Sequence, residues 1–135
     1  MRNILLPIDG STRSLRTIDM VRQIFSPQAG QITILTVLPD QMHIDGQFTR
    51  DRLARKGEQE LETFAALLEG WPVKTALLWG TPGPEIVHFA RENGFDTLVM
   101  TRSSRGPLQK LGSVATYIVR NAQFLDLIIM RENEA

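Results

Sequence analysis

Cysteine is absent from the chain, which excludes disulfide stapling, thiolate nucleophiles and thiolate metal sites and agrees with a reducing compartment. An excess of either charge is also missing. Fifteen Lys and Arg stand against fifteen Asp and Glu, so no global field draws the chain onto nucleic acid or an anionic membrane, and any phosphate binding has to be local. No apolar run approaches the ~18 residues of a membrane span, and the opening "MRNILLPIDG" is too short an apolar stretch for a signal peptide. A soluble cytoplasmic protein with neither nucleic-acid nor membrane partners is the expectation. Histidine is scarce: His43 with Asp45 reads as a surface pair, and His88 reads as a helix residue without catalytic duty.

What is present describes one α/β domain spanning 1–135. Hydrophobic residues make up 42% and charged residues 22%, which are ordinary globular proportions. Five short apolar runs, at 3–8, 31–38, 73–79, 96–101 and 126–130, read as strands. The first two are almost continuously apolar, as strands covered on both faces are. Between them lie helical patterns. The first carries Leu15, Ile18, Val21 and Ile24 or Phe25 as its inward stripe. The second runs from about Thr49 to Leu68, with Leu53, Leu61, Phe64, Ala65 and Leu68 inward; Gly57 either weakens it or marks a close approach to the sheet. The third covers 84–94, with Ile86, Val87 and Ala90 buried, and the fourth begins near Gly112 or Ser113 and ends about Asn121. Strict alternation of strand and helix with right-handed crossovers predicts a mainly parallel sheet with helices on both faces. The stretch 39–48 reads as the longest connection, either a variable surface loop or a lid.

Ligands of open parallel sheets bind beyond the carboxyl ends of the strands, where the strand order reverses. For an order of 3-2-1-4-5 that crevice lies between the first and fourth strands. Two segments leave these strands: "DGSTRS" (9–14) and "TRSSRGPLQKLGS" (101–113). Asp9 either accepts a hydrogen bond from a base or ribose or organises the turn through Gly10 and Ser11, and Ser14 is a candidate cap of the first helix. The second segment, with Arg102, Arg105 and Lys110, is either a phosphate cradle ending at Gly112 and Ser113 or a solvated loop. Trp79 either borders the site or packs. The position where a phosphoacceptor domain would need an acidic residue reads Leu78-Trp79-Gly80, and neither a P-loop nor a nucleophile elbow is present.

"ILLPIDGSTRSLRTIDMV" at the start and "FDTLVMTRSSRG…LGSVATYIVRNAQFLDLIIMR" at the end, in this order and spacing, resemble the universal stress protein family over nearly the whole chain. The resemblance implies a single-domain, five-stranded parallel α/β sheet of order 3-2-1-4-5, of the adenine nucleotide alpha hydrolase-like kind. It also implies a homodimer paired through the last strand, Asp126 to Met130, which would otherwise be an exposed apolar edge. Family members that bind ATP do so through Gly-x-x-Gly, a nine-residue spacer, then Gly-Ser or Gly-Thr; another branch lacks the motif. Here Thr101 and Ser104 replace the two glycines, and only residues 105–111 separate Ser104 from Gly112. Carried over residue by residue, the nucleotide-binding positions are Pro7, Asp9, Val37, Met100, Thr101, Ser104, Gly112, Ser113 and Val114; Arg102 and Arg105 are candidates, on their own chemistry, for phosphate contacts different from those of the glycine motif. The implied ligand is ATP or another adenine nucleotide, with Mg if it is a triphosphate. No catalytic or metal-ligating residue is expected. Two functions stay open: a stress-response module that binds an adenine nucleotide through an altered phosphate loop, and a dimeric interaction protein that binds none. A slow ATPase ranks behind both, because no carboxylate pair is placed to hold magnesium.

Overall fold

The computed structural model describes residues 1–40, 42–103 and 112–132, and for residues 42–47 the backbone alone. Nine elements alternate along the chain: β1 (Arg2–Ile8), α1 (Thr12–Ile24), β2 (Gly30–Leu38), α2 (Met42–Ala66), β3 (Val73–Trp79), α3 (Pro82–Glu92), β4 (Thr97–Thr101), α4 (Ser113–Asn121) and β5 (Asp126–Met130). The sheet order is β3-β2-β1-β4-β5, with every pairing parallel. The register sets Ile4 beside both Ile32 and Thr97, and Thr101 beside Met130.

Two cores follow from β1, whose successive side chains leave opposite faces. Ile4, Leu6 and Ile8 join Ile18 and Val21 of α1 and Leu61 and Phe64 of α2 on one face. Leu5 joins Ile86, Val87 and Ala90 of α3 and Ala115 and Ile118 of α4 on the other. The chain therefore moves outward from β1 to β3 under one pair of helices, then crosses to β4 and β5 under the other. The crevice where the direction reverses lies between β1 and β4.

Three local expectations are corrected. The inward face of α1 is Ser14, Thr17, Ile18 and Val21, whereas Leu15 and Ile24 are each 45% exposed. The first turn of α1 overlies the strand ends, where hydroxyls find polar partners and an apolar side chain would not. Second, α2 begins at Met42, so most of the stretch expected as a connection is helical. Its early turns are anchored by Arg50, which pairs with Asp40 at 2.9 Å and stacks 4.1 Å from the Trp79 ring centroid. That cation–π contact makes Trp79 a packing residue. Third, α3 starts two residues earlier than the periodicity suggests, because Thr81 takes the N-cap position and Pro82 fits the first turn.

Of the two readings of Gly57, the close approach is the one observed. It is buried, and a Cβ there would lie 3.0 Å from Leu77 Cδ1 and 3.4 Å from a Leu38 methyl. Leu61, Phe64 and Leu68 are buried as expected, while Leu53 and Ala65 are only half-buried.

Candidate functional site

Asp9 follows directly on β1, and the chain must turn there into α1. Gly10 makes the turn with φ +79°, a conformation open to glycine at little cost. A Cβ at Gly10 would also lie 2.5 Å from a carboxylate oxygen of Glu60, which reaches across from α2. The Asp9 carboxylate organises the turn. Its Oδ1 accepts the Ser11 N–H at 3.0 Å, the Ser11 hydroxyl, and the Ser14 hydroxyl at 3.3 Å. The Asp9 N–H donates to Ser14 Oγ at 3.2 Å. Ser14 therefore braces the turn from inside and does not cap α1; the N-cap position belongs to Ser11.

Oδ2 of Asp9 accepts from Arg13 Nη2 at 2.7 Å, and Arg13 Nη1 lies 3.3 Å from Oε1 of Glu132, just beyond β5. The Arg13 side chain is only 19% exposed. Partial burial pushes the Asp9 carboxyl up, but the Ser11 and Arg13 hydrogen bonds together outweigh it and hold the group below the ordinary carboxylate value. Arg13 is shifted upward, first by its hydrogen bond to Asp9 and, against the pull of burial, by the two carboxylates around it. Sequence reasoning missed Arg13. Its i,i+4 spacing from Asp9 was the available signal; the partnership with Glu132, 119 residues away, was not.

Beyond these groups the strand ends enclose a cleft of about 280 Å³. Pro7, Ile8, Leu35, Val37 and Met100 provide apolar wall, and Asp9, Arg13, Thr17, Thr101, Arg102 and Ser103 provide polar groups. Gly112, Ser113 and Val114 close the side where α4 begins. Of the expected site residues, Pro7, Asp9, Val37, Met100, Thr101, Arg102, Gly112, Ser113 and Val114 meet around this one cleft. Ser104, Arg105 and Lys110 lie outside the described residues.

Thr101 ends β4 in the interior. Its hydroxyl meets that of Thr17 at 2.9 Å, and Thr17 also donates to the Arg13 carbonyl at 3.3 Å. The side chain that replaces the motif's first glycine is thus absorbed by α1. Gly112 sits at the N-cap of α4 with φ −63° and ψ 162°, and no side chain caps the helix. A Cβ at Gly112 would meet nothing nearer than 3.7 Å. Its backbone angles suit any residue, so here the absence of a side chain serves access to the first-turn amides.

His88 is exposed on α3 and Trp79 does not line the cleft. No group of three or more His, Asp or Glu side chains placed to hold a metal occurs among the described residues. The arrangement can hold a flat apolar group against Pro7, Val37 and Met100, and can meet an anion with Arg102 and the start of α4.

The sequence model of the universal stress protein family matches residues 1–130. Universal stress protein MJ0531 of Methanocaldococcus jannaschii is 29% identical over 96% of this chain and 82% of its own length. The solved structure of MJ0577, from the same organism, superposes with a TM-score of 0.84 at 22% identity, covering 99% of this chain and 98% of that one. An Arabidopsis thaliana universal stress protein family protein, solved with AMP bound, superposes with a TM-score of 0.74 at 18% identity, covering 98% and 93%.

Proposed function

The chain belongs to the universal stress protein family, and from that premise we propose that it is a non-catalytic binding module whose β1/β4 cleft takes an adenine nucleotide. The observation that carries this reading is the convergence of nine candidate residues, from three strands or their ends and the start of α4, on one cleft at the switch point of the sheet. In this reading Pro7, Val37 and Met100 pack the base and ribose, and the open amides after Gly112, with Ser113 and Arg102, receive phosphate. The AMP bound by the structurally similar Arabidopsis protein supports the same ligand class.

Magnesium would arrive only with a triphosphate. The one carboxylate lining the cleft, Asp9, is already engaged by Ser11, Ser14 and Arg13, so no metal seat is assigned among the described residues.

Thermal denaturation with AMP, ADP and ATP, with and without Mg²⁺, tests the proposal. A ligand at 100 times its Kd stabilises the native state by about 2.7 kcal/mol. No shift with any of the three at millimolar concentration would sink it.

A second observation favours assembly. β5 pairs with β4 alone, and Leu127, Ile128 and Ile129 are only half-buried. In this reading the β5 edge pairs with that of a second copy, giving a homodimer. Among the described residues no helix is long and apolar enough to cross a membrane; with the absence of cysteine, this supports a cytoplasmic place of action.

A further inference from the structure

We infer that Thr101 is a specificity-determining residue whose hydroxyl accepts a hydrogen bond from a ribose hydroxyl of the bound nucleotide, an inference that rests on the adenine-nucleotide reading above.

The placement of protons supplies the first argument. Thr17 and Thr101 both line the cleft, and their buried hydroxyls lie 2.9 Å apart. Thr17 gives its proton to the Arg13 carbonyl at 3.3 Å, so the proton between the two threonines comes from Thr101. This direction pairs both donors inside the protein. The reverse would strand the Thr101 proton, which has no acceptor other than Thr17 among the described residues. Thr101 is therefore left with lone pairs and no proton to offer. Ser14, on the same α1 side of the cleft, is committed in the same way: it donates to Asp9 Oδ1 and accepts the Asp9 N–H. A hydroxyl in this state receives a donor and repels an acceptor such as a phosphate oxygen.

Position supplies the second. Along the end of β4, Met100 belongs to the apolar wall that packs the base, while Ser103 lies beside Gly112, the N-cap of α4, where phosphate is received. Thr101 stands between them. In a nucleotide the group between base and phosphate is the ribose, whose 2′ and 3′ hydroxyls each carry a proton to donate. The glycine that the motif has at this position offers no side-chain acceptor, so the added contact belongs to the threonine.

Calorimetric titration of the intact protein with AMP, 2′-deoxy-AMP and 3′-deoxy-AMP tests the assignment. Removing one of the two hydroxyls should weaken binding by about fivefold or more. Fluorine in place of that hydroxyl, which has no proton to donate, should recover none of the loss. In Thr101→Val the preference for AMP over the same deoxy analogue should fall below about twofold, whereas Thr101→Ser, which keeps the hydroxyl, should retain it. The wild-type and Thr101→Ser titrations carry the test should Thr101→Val fail to fold. Both deoxy analogues binding as tightly as AMP, recovery by fluorine, or a preference that survives in Thr101→Val or is lost in Thr101→Ser would overturn the inference and leave the adenine-nucleotide reading standing. If neither AMP nor its analogues bind, both readings fall.

Discussion

Arg13 Nη2 lies 2.7 Å from Asp9 Oδ2, one helical turn away, and the same guanidinium reaches Glu132 beyond the far edge of the sheet. The pair ties the turn after β1 to the end of β5 across the mouth of the crevice. Asp9 is consequently a structural acceptor before any ligand arrives, and only lone pairs left over by the turn can face one.

This has a pH signature. The folded-state pKa of Asp9 is lowered, so its contribution is present above the unfolded value, about 3.9, and is lost as pH falls through the lower folded value. The carboxylate is half exposed, which limits the contribution to about 1 kcal/mol or less. Urea unfolding of the wild type and Asp9→Asn should differ at pH 7 and converge only as pH falls through the lowered folded-state value of Asp9. A gap that stays constant across that range would contradict the shift.

The buried Thr17–Thr101 contact should respond asymmetrically to valine. In Thr17→Val the Thr101 hydroxyl loses its partner and the protein should lose about 1–3 kcal/mol. Thr101→Val should cost less, because Thr17 still donates to the Arg13 carbonyl. Chemical denaturation of the two single variants and the double variant gives the coupling directly; equal costs with no coupling would show that the contact carries no weight.

Gly10→Ala meets two separate obstacles, the positive φ and the Glu60 carboxylate 2.5 Å from the new Cβ. The left-handed conformation alone should cost about 1–2 kcal/mol. Adding Glu60→Ala should recover only the steric part. Full recovery in the double variant, measured by denaturant midpoint, would mean that the backbone conformation is unstrained.

The β5 edge yields a prediction about assembly. The Asp126 N–H donates to the Asp96 carbonyl on the β4 side, so by alternation along the strand the N–H groups of Leu127 and Ile129 face outward. Sedimentation should show a dimer at micromolar concentration, and Ile129→Pro, which removes one outward donor, should shift it to monomer. A wild-type monomer would remove β5 as the pairing edge.

The architecture was legible because periodicity reports burial. Runs such as "ILLPI" are apolar on both faces only if both faces are covered, and that already implies a parallel sheet between two helix layers. Family-level spacing then located the cleft residues, and nine of them do line one cleft. The errors share a cause. Leu15 was placed inward on α1 because periodicity counts apolar residues, yet Ser14 and Thr17 hold that face through hydrogen bonds to Asp9 and Thr101. The start of α2 was missed because its anchor, Arg50 on Trp79 and Asp40, is a tertiary contact.

The strand count and the parallel class were therefore determined by sequence alone, since each depends on patterns within a few residues; the position of the crevice followed from the strand order that the family resemblance implied. Which polar groups remain available to a ligand was decided only by the tertiary structure. In the sequence Asp9 stands between a ligand contact and a turn organiser and Arg13 passes unnoticed; the fold engages Asp9 with Ser11, Ser14 and Arg13, and Arg13 with Glu132 as well. Thr101, which breaks the glycine motif on paper, is turned into the interior by a hydroxyl on another element. Such assignments depend on which side chains come within about 3 Å of one another, and that distance is set by packing between elements distant along the chain.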